Sequence, residues 1–193
     1  RGGGAALLLG GRYAFGRQWR KSPLAEMCPV DFPGEGPWQG SDLAHAEAGL
    51  VLAPGPARLD VPLDGLPWSD GPRVFWRHRV VPREGAKVAL AAGGEPMLVA
   101  WTFGRGRVAL LAGAVMGEAG EGQLAFWDWP AWPQVLARTL EWLAAAPRAA
   151  AHGLDESAAK ALAKAAAGLG DALAAGKARA EGFSSLLVEA AWR

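Results

Sequence analysis

Residues 1–16 read RGGGAALLLGGRYAFG, and how they are read decides the fold. Glycines on both sides of an apolar run suit either a loop that cradles phosphate or a strand with sharp turns at its ends. A dinucleotide fingerprint needs G-x-G-x-x-G directly after a strand. Here Gly2 and Gly4 precede the apolar run, and the third position of the pattern falls on Leu7. A Walker loop needs G-x-x-x-x-G-K-[ST]. Gly4 and Gly10 stand one residue too far apart for it, with no lysine behind them. The strand reading remains: Ala5–Leu9 is expected to be buried on both faces, as in the middle of an α/β sheet, with Gly10 and Gly11 turning the chain at its carboxyl end.

Beyond this strand, SPLAEMCPVDF (22–32) opens with a helix-entry signal. Ser22 can cap and Pro23 suits the first helical position, but Pro29 keeps the helix brief. Residues 33–72 are rich in Gly and Pro and predict mostly loop, with one strand near Ala48–Leu52. From Arg73 the texture changes. RVFWRHRVV, KVALAA, PMLVAWTF and RVALLAG predict four strands, the last two joined by a hairpin through Gly104, Arg105 and Gly106. His78, between Arg77 and Arg79, is expected to face solvent or a cross-strand partner. After the loop MGEAGEGQ, Pro130 and Pro133 favour helix entry. Trp132, Leu136, Leu140 and Leu143 fall on one face of a helix ending near Pro147.

The tail differs again. Alanine fills 18 of the 37 positions from 144 to 180, which favours helix. Asp155 can cap it, and Leu154, Ala158, Leu162, Ala165, Leu169 and Leu173 form a narrow apolar stripe interrupted by Gly168, Gly170 and Gly176. An amphipathic, broken helix packed on the domain or on a partner is expected; a flexible low-complexity extension is the competing reading. The expected division is an α/β domain over 1–146 and an Ala-rich helical extension over 147–193.

Composition narrows the function classes. The chain has 193 residues, with 20 Lys+Arg against 19 Asp+Glu, so no basic field supports nucleic-acid binding. Its single cysteine, Cys28, excludes an internal disulfide and any multi-cysteine zinc site. No apolar run approaches 18 residues and no signal-peptide pattern occurs, so no membrane span is expected within these residues. Residue 1 is Arg rather than Met, which leads to the expectation of a longer parent protein. Ten tryptophans stand against one tyrosine, and Trp127, Trp129, Trp132 and Trp142 cluster; core and rim packing is the first reading, a ligand-stacking surface the second.

Catalytic signatures are sparse. No G-x-S-x-G elbow or glycine-flanked cysteine occurs. Cys28, between Met27 and Pro29, reads as a buried, inert thiol. His45, His78 and His152 show no ligand spacing, so neither metal nor cofactor is expected. In open α/β sheets ligands bind beyond the carboxyl ends of strands. The candidate pocket therefore comprises Gly10, Gly11 and Tyr13 after the first strand, with Glu118, Trp127 and Asp128 after the last. For Asp128 the competing role is to cap the helix entered at Pro130.

Taken as an ordered set, GGGAALLLGGRYAFG with SPLAEMCPVDF, then PMLVAWTFGRGRVALLAG and FWDWPAWPQVLARTLEWL, resemble the bacterial glutamine amidotransferase-like domains of the class I glutamine amidotransferase-like superfamily. The resemblance covers about residues 2–145. It implies a flavodoxin-like α/β sandwich with added β-hairpins, lacking amino-terminal βα units that would precede Arg1. True members cleave glutamine with a cysteine on a strand-to-helix elbow and a later His-Glu pair. Cys28 falls where relatives carry an ordinary apolar residue, and no His-x-Glu lies near the terminal helix, so glutaminase activity is not expected.

The leading expectation is a non-catalytic domain acting as a binding or interaction module of a larger bacterial protein. Its partners would be other domains of that protein or a protein docked on the Ala-rich tail. A cell-envelope location, anchored through segments outside this sequence, is one setting and the cytoplasm the other. A second reading is a hydrolase or carbohydrate-related enzyme in which Glu118 and Asp128 share acid/base work beside Trp127. A third is a purely structural domain whose tail docks a partner helix.

Overall fold

A computed structural model describes residues 4–59 and 63–145. The opening run forms β1 (Ala5–Leu9), and Arg17–Arg20 form the short helix α1. Next come β2 (Val30–Asp31), β3 (Leu43–Pro54), β4 (Arg73–His78), β5 (Val81–Pro82), β6 (Lys87–Ala92), β7 (Glu95–Phe103), β8 (Gly106–Leu111), β9 (Gly113–Ala114) and the helix α2 (Trp132–Ala144). Seven strands make one sheet in the order β1-β8-β7-β6-β3-β4-β9, while β2 and β5 pair apart from it. The class is α/β, with few helices on a large sheet. Within that sheet β1–β8 is the parallel pair, in register from Ala5↔Arg107 to Leu9↔Leu111, and the other described pairings are antiparallel.

Alternation along the strands divides the interior into two cores, one per sheet face. Leu7, Leu9, Leu98, Ala100, Ala109 and Leu111 face the core that α2 completes, with Trp129, Trp132 and Trp142 among its buried members. Leu8, Val99, Leu110 and Ala112 face the other, built with Phe15, Cys28, Val30 and Val80. Complete burial on both faces belongs to Met97–Ala100 of β7 and Val108–Leu111 of β8. The first strand departs from expectation. Among the described residues β1 lies at the sheet edge, and Leu7–Leu9 are only partly buried, because no described strand flanks its outer side.

The helix α2 follows the predicted stripe. Trp132, Val135, Thr139, Trp142 and Leu143 are buried, with Leu136 and Leu140 packed beside them. Pro133 stands in its first turn, and Arg107 of β8 donates 2.6 Å to the Trp142 carbonyl while its guanidinium lies 4.9 Å over the Trp142 ring. Gly104, at φ 61°, makes the two-residue turn between β7 and β8. The entry at Ser22 gives a 3-10 turn, Pro23–Met27, without the predicted cap: the Ser22 hydroxyl donates to the Trp19 carbonyl at 2.7 Å instead.

Residues 33–72 hold more strand than expected. β3 runs for 12 residues, pairing first with β4 and then, over Leu52–Pro54, with β6. Its register slips between His45 and Leu50, where Gly49 takes φ 64° and lies against Phe75. That irregularity, with alanine at 44, 46 and 48, hides the alternation from a pattern reading. At the other end of the sheet, only Ala112 separates β8 from β9; its N–H donates to the Met97 carbonyl and its carbonyl accepts from the His78 N–H. The Ala-rich extension and Asp155 lie outside the described residues.

Gly10 closes the turn at the carboxyl end of β1. Its N–H donates to the Leu111 carbonyl at 2.8 Å, and a Cβ there would stand 2.7–2.9 Å from the carbonyl oxygens of Leu111, Ala112 and Gly113. Around Gly11 the same volume is empty. Gly10→Ala should therefore lower unfolding free energy by about 1–3 kcal/mol, the usual range for overpacking. Gly11→Ala should change it little, as urea denaturation of the two variants would show.

Candidate functional site

The parallel pair β1–β8 points its carboxyl ends at one turn, Gly10–Tyr13. Gly11 accepts the N–H of Ala14 at 3.0 Å, and Arg12 and Tyr13 project outward, Tyr13 59% exposed. Phe15 then drops back into the core with a left-handed φ of 58°, a conformation that a bulky side chain adopts only under constraint. The constraint is packing: its ring stacks on Phe32 at 4.9 Å and meets Trp19 and His78 edge-on.

Beneath the turn lies a residue for which the sequence leaves solvent or a cross-strand partner open. His78 is fully buried, not turned to solvent. Its Nε2 donates to the Gly11 carbonyl at 3.0 Å, since a carbonyl can only accept; Nδ1 is thereby left to receive the Ser41 hydroxyl at 3.5 Å. Burial pushes its pKa down to about 4, so the ring is neutral at physiological pH. Strand parity alone does not place it: Val74 and Val80 share its parity, yet they belong to different cores, and β4 ends at His78. Ser41 is as buried as His78, and neighbouring Asp42 pairs with Arg79 at 2.8 Å.

The second half of the predicted pocket lies on the loops after β9. Trp127 is half-buried, edge-on to Phe75 at 6.3 Å and to Phe126 at 5.0 Å. Glu118 and Asp128 are exposed. Asp128 does not cap α2: the helix begins behind Ala131 with no side-chain cap, because the chain makes its own turns first, Asp128 N–H to the Ala125 carbonyl and Trp132 N–H to the Trp129 carbonyl. The carboxylate bonded to a tryptophan is Asp70, which accepts from Trp129 Nε1 at 2.9 Å. No hydrogen bond or ring contact among the described residues joins Gly10, Gly11 or Tyr13 to Glu118, Trp127 or Asp128. A narrow recess lined by Pro54, Leu59, Leu63, Asp64 and Ala89 includes none of the six.

Cys28 is buried among Val30, Val80 and Phe15. Burial raises its pKa; the charged groups acting on it are Arg83 and Asp31, with no histidine among them. His45 stacks on Trp76 at 4.4 Å, and His152 lies outside the described residues. Among the described residues no group of three or more His, Cys, Asp or Glu side chains is placed to hold a metal ion. No helix among them is long and apolar enough to cross a membrane.

Two solved structures share this fold. Cytoplasmic Protein STM3548 from Salmonella typhimurium is 24% identical over 73% of this chain and 55% of its own, with a TM-score of 0.58. Cytoplasmic Protein STM1381 from Salmonella typhimurium LT2 is 21% identical over 73% of this chain and 56% of its own, also with a TM-score of 0.58. The chain thus spans about half the length of these proteins. No protein-family model matches the sequence, and no curated protein does.

The setting of Cys28 has a direct readout. A thiol reagent such as a disulfide chromogen should label the native protein far more slowly than the urea-unfolded chain, because the reactive thiolate is both disfavoured and covered. Native labelling as fast as that of the unfolded chain would show the thiol to be accessible.

Proposed function

We propose that this chain is a non-catalytic glutamine amidotransferase-like domain of flavodoxin-like descent, serving as a binding or interaction module of a larger bacterial protein. The observation that carries the reading is the state of its one thiol. Amide cleavage by a cysteine needs a thiolate within hydrogen-bond reach of a base. Cys28 is buried, its pKa is raised, and His78 is engaged with Gly11 and Ser41. The turn after β1, at the carboxyl end of a parallel strand, carries Gly10, Gly11, Arg12 and Tyr13, with no nucleophile among them. The flavodoxin-like descent is supported by the parallel β1–β8 pair with core on both faces and a glycine turn at its carboxyl end.

On this reading the turn at Gly10–Tyr13 is the ligand- or partner-facing edge, its exposed Arg12 and Tyr13 being the groups free to make contacts. The carbohydrate-hydrolase reading draws on Glu118 and Asp128 beside Trp127. It is the weaker, because both carboxylates stand in solvent with nothing to set one as acid and the other as base. A cytoplasmic setting is favoured over the envelope by the description of both matched proteins as cytoplasmic.

Glutamine hydrolysis by the full-length parent protein tests the reading. No turnover above background is expected, with or without Cys28→Ala. Turnover abolished by that substitution would overturn it, and turnover lost with Glu118→Gln or Asp128→Asn on a glycoside substrate would favour the rival.

A further inference from the structure

Resting on the reading of the Gly10–Tyr13 turn as the contact edge of the domain, we infer that this edge docks a carboxylate-rich segment of a partner protein. Arg12, Arg17 and Lys21 are the groups that receive it, and Glu35 is a carboxylate that the chain itself lays on the same cluster.

The near-cancellation of charge over the whole chain hides a local excess. Residues 4–25 hold Arg12, Arg17, Arg20 and Lys21 with no acid, whereas residues 115–131 hold Glu118, Glu121 and Asp128 with no base. Three of the four bases gather around one point. Arg17 Nε donates to Glu35 Oε2 at 2.9 Å, and both side chains are more than half exposed. That bond, with the charges of Arg20 and Lys21 behind it, holds the Glu35 carboxyl below the usual carboxylate range although it stands in solvent. Arg20 is fixed by the carbonyls of Phe15, Gly34 and Gly40, so it contributes field rather than contact. The side chains of Arg12 and Lys21 are exposed and make no hydrogen bond or ion pair among the described residues.

Glu35 is held over Arg17 by close packing on either side of it. A Cβ at Gly34 would collide with the Asp42 carboxylate, and one at Gly36 with the Ser41 carbonyl. Both flanks therefore lie flat on Ser41 and Asp42, and the side chain between them is turned out to Arg17. Its single bond to Nε leaves the terminal nitrogens of the guanidinium for an incoming carboxylate, which can join Glu35 or replace it. A polypeptide suits this surface better than a phosphate backbone, which calls for a continuous basic track. Here Glu35 interrupts the bases, Asp42 beside it is paired with Arg79, and the exposed Tyr13 ring adds the aromatic contact that, with arginine, is enriched where proteins meet.

Fluorescence anisotropy of a short fluorescein-labelled oligoglutamate peptide, titrated at low ionic strength with the full 193-residue chain, tests the inference. Arg17→Gln and Lys21→Gln should each weaken binding about two- to fivefold, the scale of one exposed charge contact, and added salt should weaken it further. Glu35→Gln removes the competing carboxylate and should tighten binding by about the same factor. Lys87→Gln, which removes an exposed base of β6, should leave it unchanged. All these side chains are exposed, and Arg17→Gln keeps the aliphatic stem that packs on Gly40. Tyr13 is the only tyrosine in the chain, so with selective tyrosine labelling one ring signal should shift as the peptide is added. Absence of binding, an equal loss in Lys87→Gln, an unchanged or weaker affinity in Glu35→Gln, or a stationary Tyr13 signal would each overturn the inference. Displacement of the peptide by single-stranded DNA of matching length at lower concentration than by unlabelled oligoglutamate would overturn it in favour of a nucleic acid. Glutamine turnover plays no part in these readouts, so failure of the non-catalytic reading leaves the peptide result standing, and absence of peptide binding leaves the turnover result standing.

Discussion

The architecture depends on the close passage of Gly10 over the end of β8. Three carbonyl oxygens approach the space that any other side chain would occupy, so the chain leaves β1 in one direction only. That exit sends Gly11 over His78 and Phe15 into the second core, and it sets the parallel register in which Leu7 and Leu9 meet α2 while Leu8 meets Phe15 and Trp19. A glycine pair that at first resembles a phosphate loop is in effect a steric requirement of strand packing.

Much of the fold is legible in the sequence because its strongest elements are regular. Three of the four strands expected from Arg73 onward and the helix at Trp132 form within a few residues of where the pattern lies, whereas RVFWRHRVV breaks after His78 into β4 and β5, which belong to different sheets. The elements that escape are those in which tertiary contacts override local ones. β3 hides behind alanines and a bulge at Gly49. The edge position of β1 depends on strand order, which five residues cannot encode. Ser22 and Asp128 are good capping residues in principle, yet each cap competes with nearby backbone and loses, at Ser22 to the Trp19 carbonyl and at Asp128 to successive turns that start the helix without a side chain.

The six candidate site residues fall in two separate places. Glycines and an exposed tyrosine at the end of a parallel strand follow a general rule of sheet topology, and the structure gathers Gly10, Gly11 and Tyr13 on one turn. Glu118, Trp127 and Asp128 were joined to them by nearness to the last strand, and no bond or ring contact makes that link. Of the two places that the sequence leaves open for His78, burial excludes solvent; its contacts to Gly11 and Ser41 come from distant parts of the chain, which local pattern does not encode. In a chain so poor in chemical motifs, a buried imidazole with both ring nitrogens engaged is a more informative residue than an exposed carboxylate.

The single alanine between β8 and β9 has a wider consequence. The run 106–114 first pairs with β1 and β7, and one residue later it pairs with β4, the far end of the same sheet. Followed through β7, β6, β3 and β4, the hydrogen bonds trace a circuit that returns to the segment where it began, with β1 attached as a tab outside the loop. Such a circuit has no lateral end from which to peel. Its strands must therefore let go together, whereas the tab and the turn it carries can move without breaking the ring.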